Sequence, residues 1–163
     1  MKIRRVMLAA PKSGSGKTML TCALLQTLKD RGEQVISYKC GPDYIDPMFH
    51  KKVIDIPSKN LDTFFTNEEQ TKRRFLSGRT ESEIAVLEGV MGLYDGLGGV
   101  RKEGSSYHLA EVTDTPVILI VNSKGMSVSL AAYIKGFLEY KKDSRIKGVI
   151  FNQMSPMLYP RMK

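Results

Sequence analysis

The stretch from Ala10 to Leu20, APKSGSGKTML, constrains this chain more than any other part of its sequence. It contains Gly16-Lys17-Thr18, which matches the end of the phosphate-loop pattern, but Pro11 stands where that pattern has its first glycine. Gly14 and Gly16 allow backbone conformations that turn successive N–H groups toward one point, and the positive end of a helix beginning at Lys17 faces the same point. The segment therefore predicts a variant phosphate-binding loop between a strand and a helix.

Three side chains of this loop have predicted roles beside a nucleotide. Lys17 supplies positive charge for the outer phosphates, and the Thr18 hydroxyl can ligate magnesium. Lys12 stands where some nucleotide-dependent switches and amide-forming synthetases carry a second lysine; the alternative is an ordinary solvated loop lysine. We expect Lys17 to be an exposed loop residue, so that Lys17→Ala abolishes nucleotide-dependent turnover and leaves the fold intact.

Short β-branched apolar runs alternate with helical spacing along the chain. Strands are predicted at 3–9, 34–39, 83–89, 115–122 and 146–152, and helices from 17 to about 31 and from 127 to about 140. This alternation predicts an α/β fold with a doubly wound, mostly parallel sheet, whose sites lie at the carboxyl ends of the strands. The segments 40–67 and 89–105, rich in Gly, Pro and Asp, are predicted as irregular loops at the phosphate-loop edge.

Length and composition predict one folded domain. The chain has 163 residues, of which 42% are apolar, enough for a core. No apolar run approaches the ~20 residues that span a bilayer, and the opening segment is too short for a secretory signal, so no membrane partner is expected. Cys22 and Cys40 are isolated thiols, which favours a reduced, cytoplasmic setting.

The formal net charge of +8 raises the question of an anionic partner. Lysines and arginines are scattered along the chain, and no aromatic residues are interleaved with them. We therefore expect no nucleic-acid partner, while a small or polyanionic substrate remains open.

Carboxylates in two places are candidate metal ligands, which phosphoryl transfer needs. Glu88 ends the apolar run IAVLE, and a buried carboxylate is costly unless it is paired or binds a metal. Asp43 and Asp46 lie in KCGPDYIDPMFH, where two prolines restrict the chain. The alternatives are a salt-bridged structural glutamate for Glu88 and a solvated turn for the two aspartates. His50 and His108 show no metal spacing and are interpreted as structural.

Three further strings accompany the shortened phosphate loop: GPDYIDP at 41–47, PSKNLD at 57–62 and EGVMGLYDG at 88–96. Together they resemble the amino-terminal synthetase domain of the cobyrinic acid a,c-diamide synthase family, which includes the hydrogenobyrinic acid and nickel-sirohydrochlorin a,c-diamide synthases. The resemblance covers essentially all of the chain and implies a P-loop NTPase fold of the dethiobiotin-synthetase-like type. It also implies ATP-dependent amidation of the a and c side-chain carboxylates of a tetrapyrrole through an acyl phosphate, in cobalamin biosynthesis.

The resemblance also implies roles for individual residues. Those implied to bind ATP are Lys12, Ser13, Gly14, Ser15, Gly16, Lys17, Thr18 and Asn152, the last at the adenine edge. Those implied to hold Mg²⁺ are Thr18, Glu88 and one of Asp43 and Asp46, with Asp46 favoured. Those implied on the substrate side are Tyr44, Asp95 and Ser127, and the catalytic set is Lys17, Asp46 and Asp95. A packed aromatic for Tyr44, a turn residue for Asp95 and a turn cap for Asn152 are the alternatives.

Full-length members of the resembled family carry a second domain that hydrolyses glutamine with a cysteine nucleophile. Neither Cys22 nor Cys40 lies in a nucleophile-elbow context, so residues 1–163 are expected to be a fragment that at best uses free ammonia. A homodimer is compatible with the sequence. Two other functions remain open: a carboxylating enzyme like dethiobiotin synthetase, and a nucleotide-switch ATPase of the partitioning type.

Overall fold

A computed structural model describes residues 4–77 and 84–162. Its strands are β1 (Arg5–Ala9), β2 (Val35–Cys40), β3 (Ser58–Leu61), β4 (Ile84–Glu88), β5 (Val117–Asn122) and β6 (Ile146–Asn152). Its α-helices are α1 (Lys17–Asp30), α2 (Ile45–Phe49), α3 (Glu68–Leu76), α4 (Ser106–Val112), α5 (Ser129–Glu139) and α6 (Tyr159–Met162). A π-helical turn at His50–Ile54 and a 3₁₀ turn at Leu97–Gly99 complete the set.

The six strands form one sheet in the order β3-β2-β4-β1-β5-β6, and every strand pairing among the described residues is parallel. The chain runs from β1 outward to β2 and β3, returns to place β4 beside β1, and then continues on the other side through β5 and β6. This order confirms the doubly wound α/β prediction. Because parallel strands end at the same edge, the loops after β1, β2 and β4 meet at one place. That edge carries the candidate site.

The central strands are buried on both faces, as parallel strands covered by helices usually are. Met7, Tyr38 and Leu87 are fully buried in the largest apolar cluster. Helix α1 packs Leu25 against a second cluster that includes Val86 of β4. This packing fixes the position of the helix and of the loop that precedes it.

The predicted strands and helices are confirmed within about two residues at their described ends. Residues 3 and 83, which the predictions include, lie outside the described residues. No helix in the described chain is both long enough and apolar enough to cross a bilayer.

The prediction that 40–67 is irregular was wrong. The segment contains α2, the π-helical turn and the edge strand β3. Strand β3 was missed because only its first and last residues, Ser58 and Leu61, are buried, so SKNL has no apolar run. The short α2 contains Pro47 near its start, a position where the missing proline N–H is not needed for a helical hydrogen bond.

Helices α3 and α4 were also not predicted, although their caps are visible in the sequence. Asn67 accepts a hydrogen bond from the backbone N–H of Gln70, and the Gln70 side chain accepts one from the N–H of Asn67. Ser105 accepts a hydrogen bond from the N–H of His108 at the start of α4. These capping patterns are the signal that apolar spacing did not provide.

Candidate nucleotide-binding site

The phosphate loop links β1 to α1 and leaves the first turn of α1 without a side-chain cap. Gly14 and Gly16 have φ of 75° and 96°, a left-handed conformation that favours glycine. The Ser15 hydroxyl donates to the Lys12 carbonyl at 2.9 Å, which closes the loop on itself. The uncapped N–H groups and the positive helix end suit an anionic phosphate.

The loop after β4 packs directly on the phosphate loop. The N–H of Leu93 donates to the Ala10 carbonyl at 2.8 Å. A Cβ on Gly92 would lie 2.5 Å from the Pro11 carbonyl oxygen, closer than real Cβ contacts allow. A glycine is therefore required where these two backbones cross, and Pro11 takes the place of the phosphate loop's usual first glycine at this crossing.

Lys17 differs from the expectation of an exposed loop residue. Its side chain is buried, and its Nζ donates to the Met91 carbonyl at 2.7 Å. Burial lowers the pKa of Lys17, and the nearby charge of Lys39 lowers it further. The ammonium therefore ties the phosphate loop to the loop after β4, a contact that a sequence motif does not reveal.

Glu88 is fully buried at the carboxyl end of β4, as predicted for a strand-tip carboxylate. Its Oε1 accepts hydrogen bonds from the Thr18 hydroxyl at 2.6 Å and from Lys39 Nζ at 2.8 Å. Its Oε2 is buried and has no hydrogen-bond partner among the described residues. Glu88 is thus both ion-paired, as the structural alternative proposed, and left with one free acceptor.

Lys39 is the main site residue that the sequence analysis missed. It lies on β2 directly beside Glu88 in the strand register, and its Nζ is 2.6 Å from Asp46 Oδ2. Burial acts to lower the pKa of Lys39, but the charge of Glu88 and the hydrogen bond to Asp46 outweigh it, so the pKa is raised. The signal in the sequence that could have indicated Lys39 is a lysine at the end of a buried strand, just before an acidic motif.

The two aspartates of the loop after β2 have different surroundings. Asp46 pairs with Lys39 and so joins the Glu88 cluster. Asp43 Oδ1 accepts hydrogen bonds from the N–H groups of Ile45 and Asp46, at 2.8 and 3.3 Å, and caps the start of α2. Both aspartates line the phosphate cavity, whereas Tyr44 between them is exposed.

Asn60 on β3 holds this acidic loop in place. Its Nδ2 donates to the Gly41 carbonyl at 2.8 Å and also to the Asp43 carbonyl. The amide therefore fixes the backbone that carries the acids. Asn60 lies within the PSKNLD string, but its role is not visible in the sequence, because the contact depends on β3 pairing with β2.

The remaining predicted residues lie around this centre. Asp95 is exposed, and its Oδ2 accepts a hydrogen bond from the N–H of Gly92 at 3.0 Å. Asn152 Nδ2 donates to the Ser15 carbonyl at 2.9 Å, so the amide contacts the phosphate loop. Ser127 is exposed just before α5, with its Oγ accepting from the N–H of Val128. Asp95 and Ser127 are not among the described residues that line the phosphate cavity.

His50 is buried beside the acidic cluster. Its Nε2 is 4.0 Å from Glu88 Oε2, and its Nδ1 is 3.0 Å from the Ser37 hydroxyl. Burial lowers the pKa of His50, which favours the neutral imidazole. Among the described residues no cluster of three or more His, Cys, Asp or Glu side chains has metal-binding geometry. Any metal here would therefore need ligands such as the Thr18 hydroxyl.

A cavity of about 480 Å³ lies against the phosphate loop and the Lys39–Asp46 pair. It is lined by the phosphate loop, the start of α1, β2 and the loops after β2 and β4: Ser13, Gly14, Gly16, Lys17, Thr18, Met19, Lys39, Asp43, Asp46, Gly89, Val90 and Met91. The prediction that the long loops after these two strands lie at the phosphate-loop edge is confirmed. The cavity combines anion-binding N–H groups, two lysines and two carboxylates, as a nucleotide with a divalent ion would require.

A family-wide sequence profile, that of the CobQ/CobB/MinD/ParA nucleotide binding domain, matches residues 6–162. The chain belongs to this family. Its members bind nucleotides, in agreement with the geometry of the phosphate loop, and the chain accordingly has the P-loop NTPase fold predicted from its sequence.

Within this nucleotide-binding family, the chain is similar to proteins named cobyrinate a,c-diamide synthase. It is 41% identical over 154 residues to that of Listeria innocua serovar 6a and 43% identical over 155 residues to that of Thermoplasma volcanium. It is also 40% identical over 153 residues to that of Saccharolobus solfataricus. These alignments cover 94–95% of this chain but 34% of each relative, so the chain spans about a third of their length.

Proposed function

We propose that this chain is the ATP-dependent, amide-forming synthetase part of a cobyrinate a,c-diamide synthase. Its substrate would be cobyrinic acid or a related tetrapyrrole polycarboxylate. The observation that carries the proposal is the cluster of Thr18, Glu88, Lys39 and Asp46 beside the phosphate loop. The similarity to named synthases over almost the whole chain supports it.

The cluster is suited to Mg²⁺. Magnesium prefers oxygen ligands, and the Thr18 hydroxyl and the Glu88 and Asp46 carboxylates offer only oxygen. Glu88 Oε2 is a buried acceptor with no hydrogen-bond partner in the described part of the chain, and the Lys39 ammonium lies between the two carboxylates, where a cation is favourable. We therefore assign Thr18, Glu88 and Asp46 to the metal, while Asp43 keeps its role as the cap of α2.

The residues of the chain account for the first step, phosphoryl transfer. A substrate carboxylate oxygen attacks the γ-phosphorus of ATP, the bond to the bridging oxygen breaks, and ADP leaves. The loop N–H groups and Lys17 offset the negative charge that gathers on the phosphates. Mg²⁺ held by Thr18, Glu88 and Asp46 would neutralise part of the same charge. Lys39 lines the same cavity as the phosphate loop, so its ammonium would add positive charge beside the phosphates.

In the second step, ammonia attacks the acyl carbon, phosphate leaves, and the nitrogen loses a proton to give the amide. The acyl phosphate must be protected from water, and the loops after β2 and β4 form the walls of the cavity in which it would lie. Asp95, Tyr44 and Ser127 remain proposed substrate-side residues. Asn152 remains a proposed adenine contact. Its Nδ2 donates to the Ser15 carbonyl, so its Oδ1 would be the atom that contacts adenine.

The source of ammonia is proposed to be a glutaminase domain in the longer protein, consistent with the chain spanning a third of its relatives. Burial raises the pKa of both thiols, that of Cys40 to about 12, with the charge of Asp62 adding to it. Neither cysteine is therefore a ready thiolate nucleophile. A cytoplasmic location and an absence of nucleic-acid partners belong to the same proposal, and a homodimer is compatible with it.

The test measures phosphate release from ATP by this chain with Mg²⁺, with and without cobyrinic acid, using ammonium or glutamine as the nitrogen source. We expect turnover to depend on cobyrinic acid and to be supported by ammonium alone. Turnover with glutamine would contradict the absence of a glutaminase in these residues. Slow hydrolysis unaffected by cobyrinic acid, with ATP-dependent dimerisation, would instead indicate a nucleotide switch.

A further inference from the structure

An exposed apolar surface lies beside the phosphate cavity and has no part in the function as described so far. Phe65 is 70% exposed and Phe64 is 50% exposed, and Met91 and Leu97 are exposed nearby. Together with Val90 these residues line a cavity of about 420 Å³ between the loop after β3 and the loop after β4. We call this set of five residues the aromatic trough. Contiguous exposed apolar side chains usually mark a binding site.

Hydrogen bonds hold the trough in its exposed arrangement. Asp62 Oδ1 accepts bonds from the N–H groups of Phe64 and Phe65, at 2.7 and 3.4 Å. The two rings pack edge to face with their centroids 4.7 Å apart. The Thr63 hydroxyl accepts a bond from the N–H of Gly104 at 3.1 Å, which ties this loop to the opposite wall. The phenyl rings are therefore presented by a fixed turn.

The trough is continuous with the phosphate cavity. Val90 and Met91 line both cavities, and the Met91 carbonyl accepts the hydrogen bond from Lys17. A smaller neighbouring cavity, lined by Asp43 and Val90 among others, connects the acidic loop after β2 to the loop after β4. A ligand lying in the trough can thus extend a side arm over Val90 and Met91 to the phosphate loop.

We propose that the aromatic trough binds the ring of the tetrapyrrole substrate, an inference that rests on the proposed function. The ring offers a broad apolar face to Phe64, Phe65 and Leu97, while a carboxylate arm reaches the cavity where phosphoryl transfer takes place. Burying such a face against aromatic side chains is favourable and tolerant of orientation. This tolerance suits a substrate that must present two different arms in turn.

A second apolar cavity, of about 690 Å³, lies on the other side of the loop after β4 and is lined by Tyr94, Asp95, Val100 and Tyr133 among others. It shares no lining residue with the phosphate cavity among the described residues. The geometry therefore favours the trough for the ring, and the second cavity, which Asp95 also lines, is the alternative that the experiment tests.

The experiment titrates cobyrinic acid into this chain in the presence of Mg²⁺ and a non-hydrolysable ATP analogue, and follows the absorbance of the ring. Phe65→Ser should weaken cobyrinic acid binding about tenfold, because it removes one aromatic face that the bound ring would cover. Binding of the analogue, measured separately, should be unchanged. Val100→Ser is the matched control, since Val100 is 90% exposed and lines the second cavity.

Unchanged cobyrinic acid affinity in Phe65→Ser would overturn the proposal, as would a loss confined to Val100→Ser. If the unsubstituted chain bound the analogue but not cobyrinic acid, the proposed substrate itself would be wrong. If it bound neither, the nucleotide site would be wrong. The failure of the trough is therefore distinguishable from the failure of the proposed function.

Discussion

Lys17 shows how one side chain can be both a motif residue and a structural one. The phosphate-loop motif predicts that its ammonium binds the phosphates of a nucleotide. In the structure the same ammonium donates a hydrogen bond to the Met91 carbonyl. Because burial and Lys39 lower its pKa, the charged form is less favourable here than in water. A bound phosphate would restore a favourable environment for that charge.

Replacing Lys17 tests this dual role. Lys17→Met keeps most of the apolar volume but removes the charge and the hydrogen bonds to the Met91 and Lys12 carbonyls. We expect nucleotide-dependent turnover to fall by about 10²-fold or more, while the melting temperature changes little because the loss of these bonds is offset by removal of a buried charge. Lys72→Met, at an exposed position of α3, is the control. Retained turnover in Lys17→Met would argue against the nucleotide site.

Cys40 gives a prediction of pH dependence. Burial raises its pKa to about 12 from the usual 9.0, so the unfolded chain ionises first as the pH rises. The neutral thiol therefore stabilises the fold below pH 9. Above pH 9 the free energy of unfolding falls by about 1.4 kcal/mol per pH unit. Urea unfolding at pH 8, 9 and 10 measures the slope. Cys40→Ala, although less stable overall, should decline less steeply between pH 9 and 10; equal slopes would contradict the prediction.

At the scale of elements, the site is built from loops that other elements hold. The loop after β4 contacts the phosphate loop through Leu93 and Gly92, and the acidic loop after β2 is held by Asn60 of β3. Strand β3 lies at the sheet edge and is only four residues long. Its contribution to the site is therefore to position the acids, with no direct contact to a phosphate required.

Asn60→Ala should loosen the acidic loop, because two backbone carbonyls lose their shared donor. We expect a stability loss of about 1–2 kcal/mol and a several-fold rise in the Mg²⁺ concentration needed for half-maximal turnover. Asn67→Ala is the matched control, since it removes the capping box of α3 at a similar cost of about 1 kcal/mol. The same shift in Mg²⁺ dependence in both variants would show that only stability had changed.

At the scale of the whole molecule, one ionic cluster joins four elements. Glu88 of β4 accepts hydrogen bonds from Thr18 of α1 and Lys39 of β2. Lys39 also forms an ion pair with Asp46 of α2. Two carboxylates so close together repel each other unless a cation lies between them. The stability of the fold and the charge of the site are therefore coupled through Lys39.

Lys39→Met removes that cation and leaves the buried Glu88 without its ion-pair partner. Breaking a buried ion pair costs about 3–5 kcal/mol, so the melting temperature should drop markedly. Adding Mg²⁺ with a non-hydrolysable ATP analogue should raise the melting temperature more in the variant than in the unsubstituted chain, because a divalent ion replaces the ammonium. Lys51→Met, on the exposed side of the π-helical turn, is the control. An equal rise in both chains would contradict this coupling.

The sequence by itself determined the sheet class, five of the six strands and the phosphate loop, since these follow from local apolar patterns and from a glycine-lysine motif. It also placed Glu88 at the tip of a buried strand. These features are encoded in neighbouring residues, whose spacing sets secondary structure without reference to distant partners.

The tertiary structure alone decided which side chains meet. Lys39 contacts Glu88 because β2 and β4 pair in register, although 49 positions separate them. Asn60 reaches the acidic loop, and Lys17 reaches Met91, only because parallel strands end at one edge. A single sequence carries no direct record of such distant contacts, so the partners of these charges depend on how the whole sheet assembles.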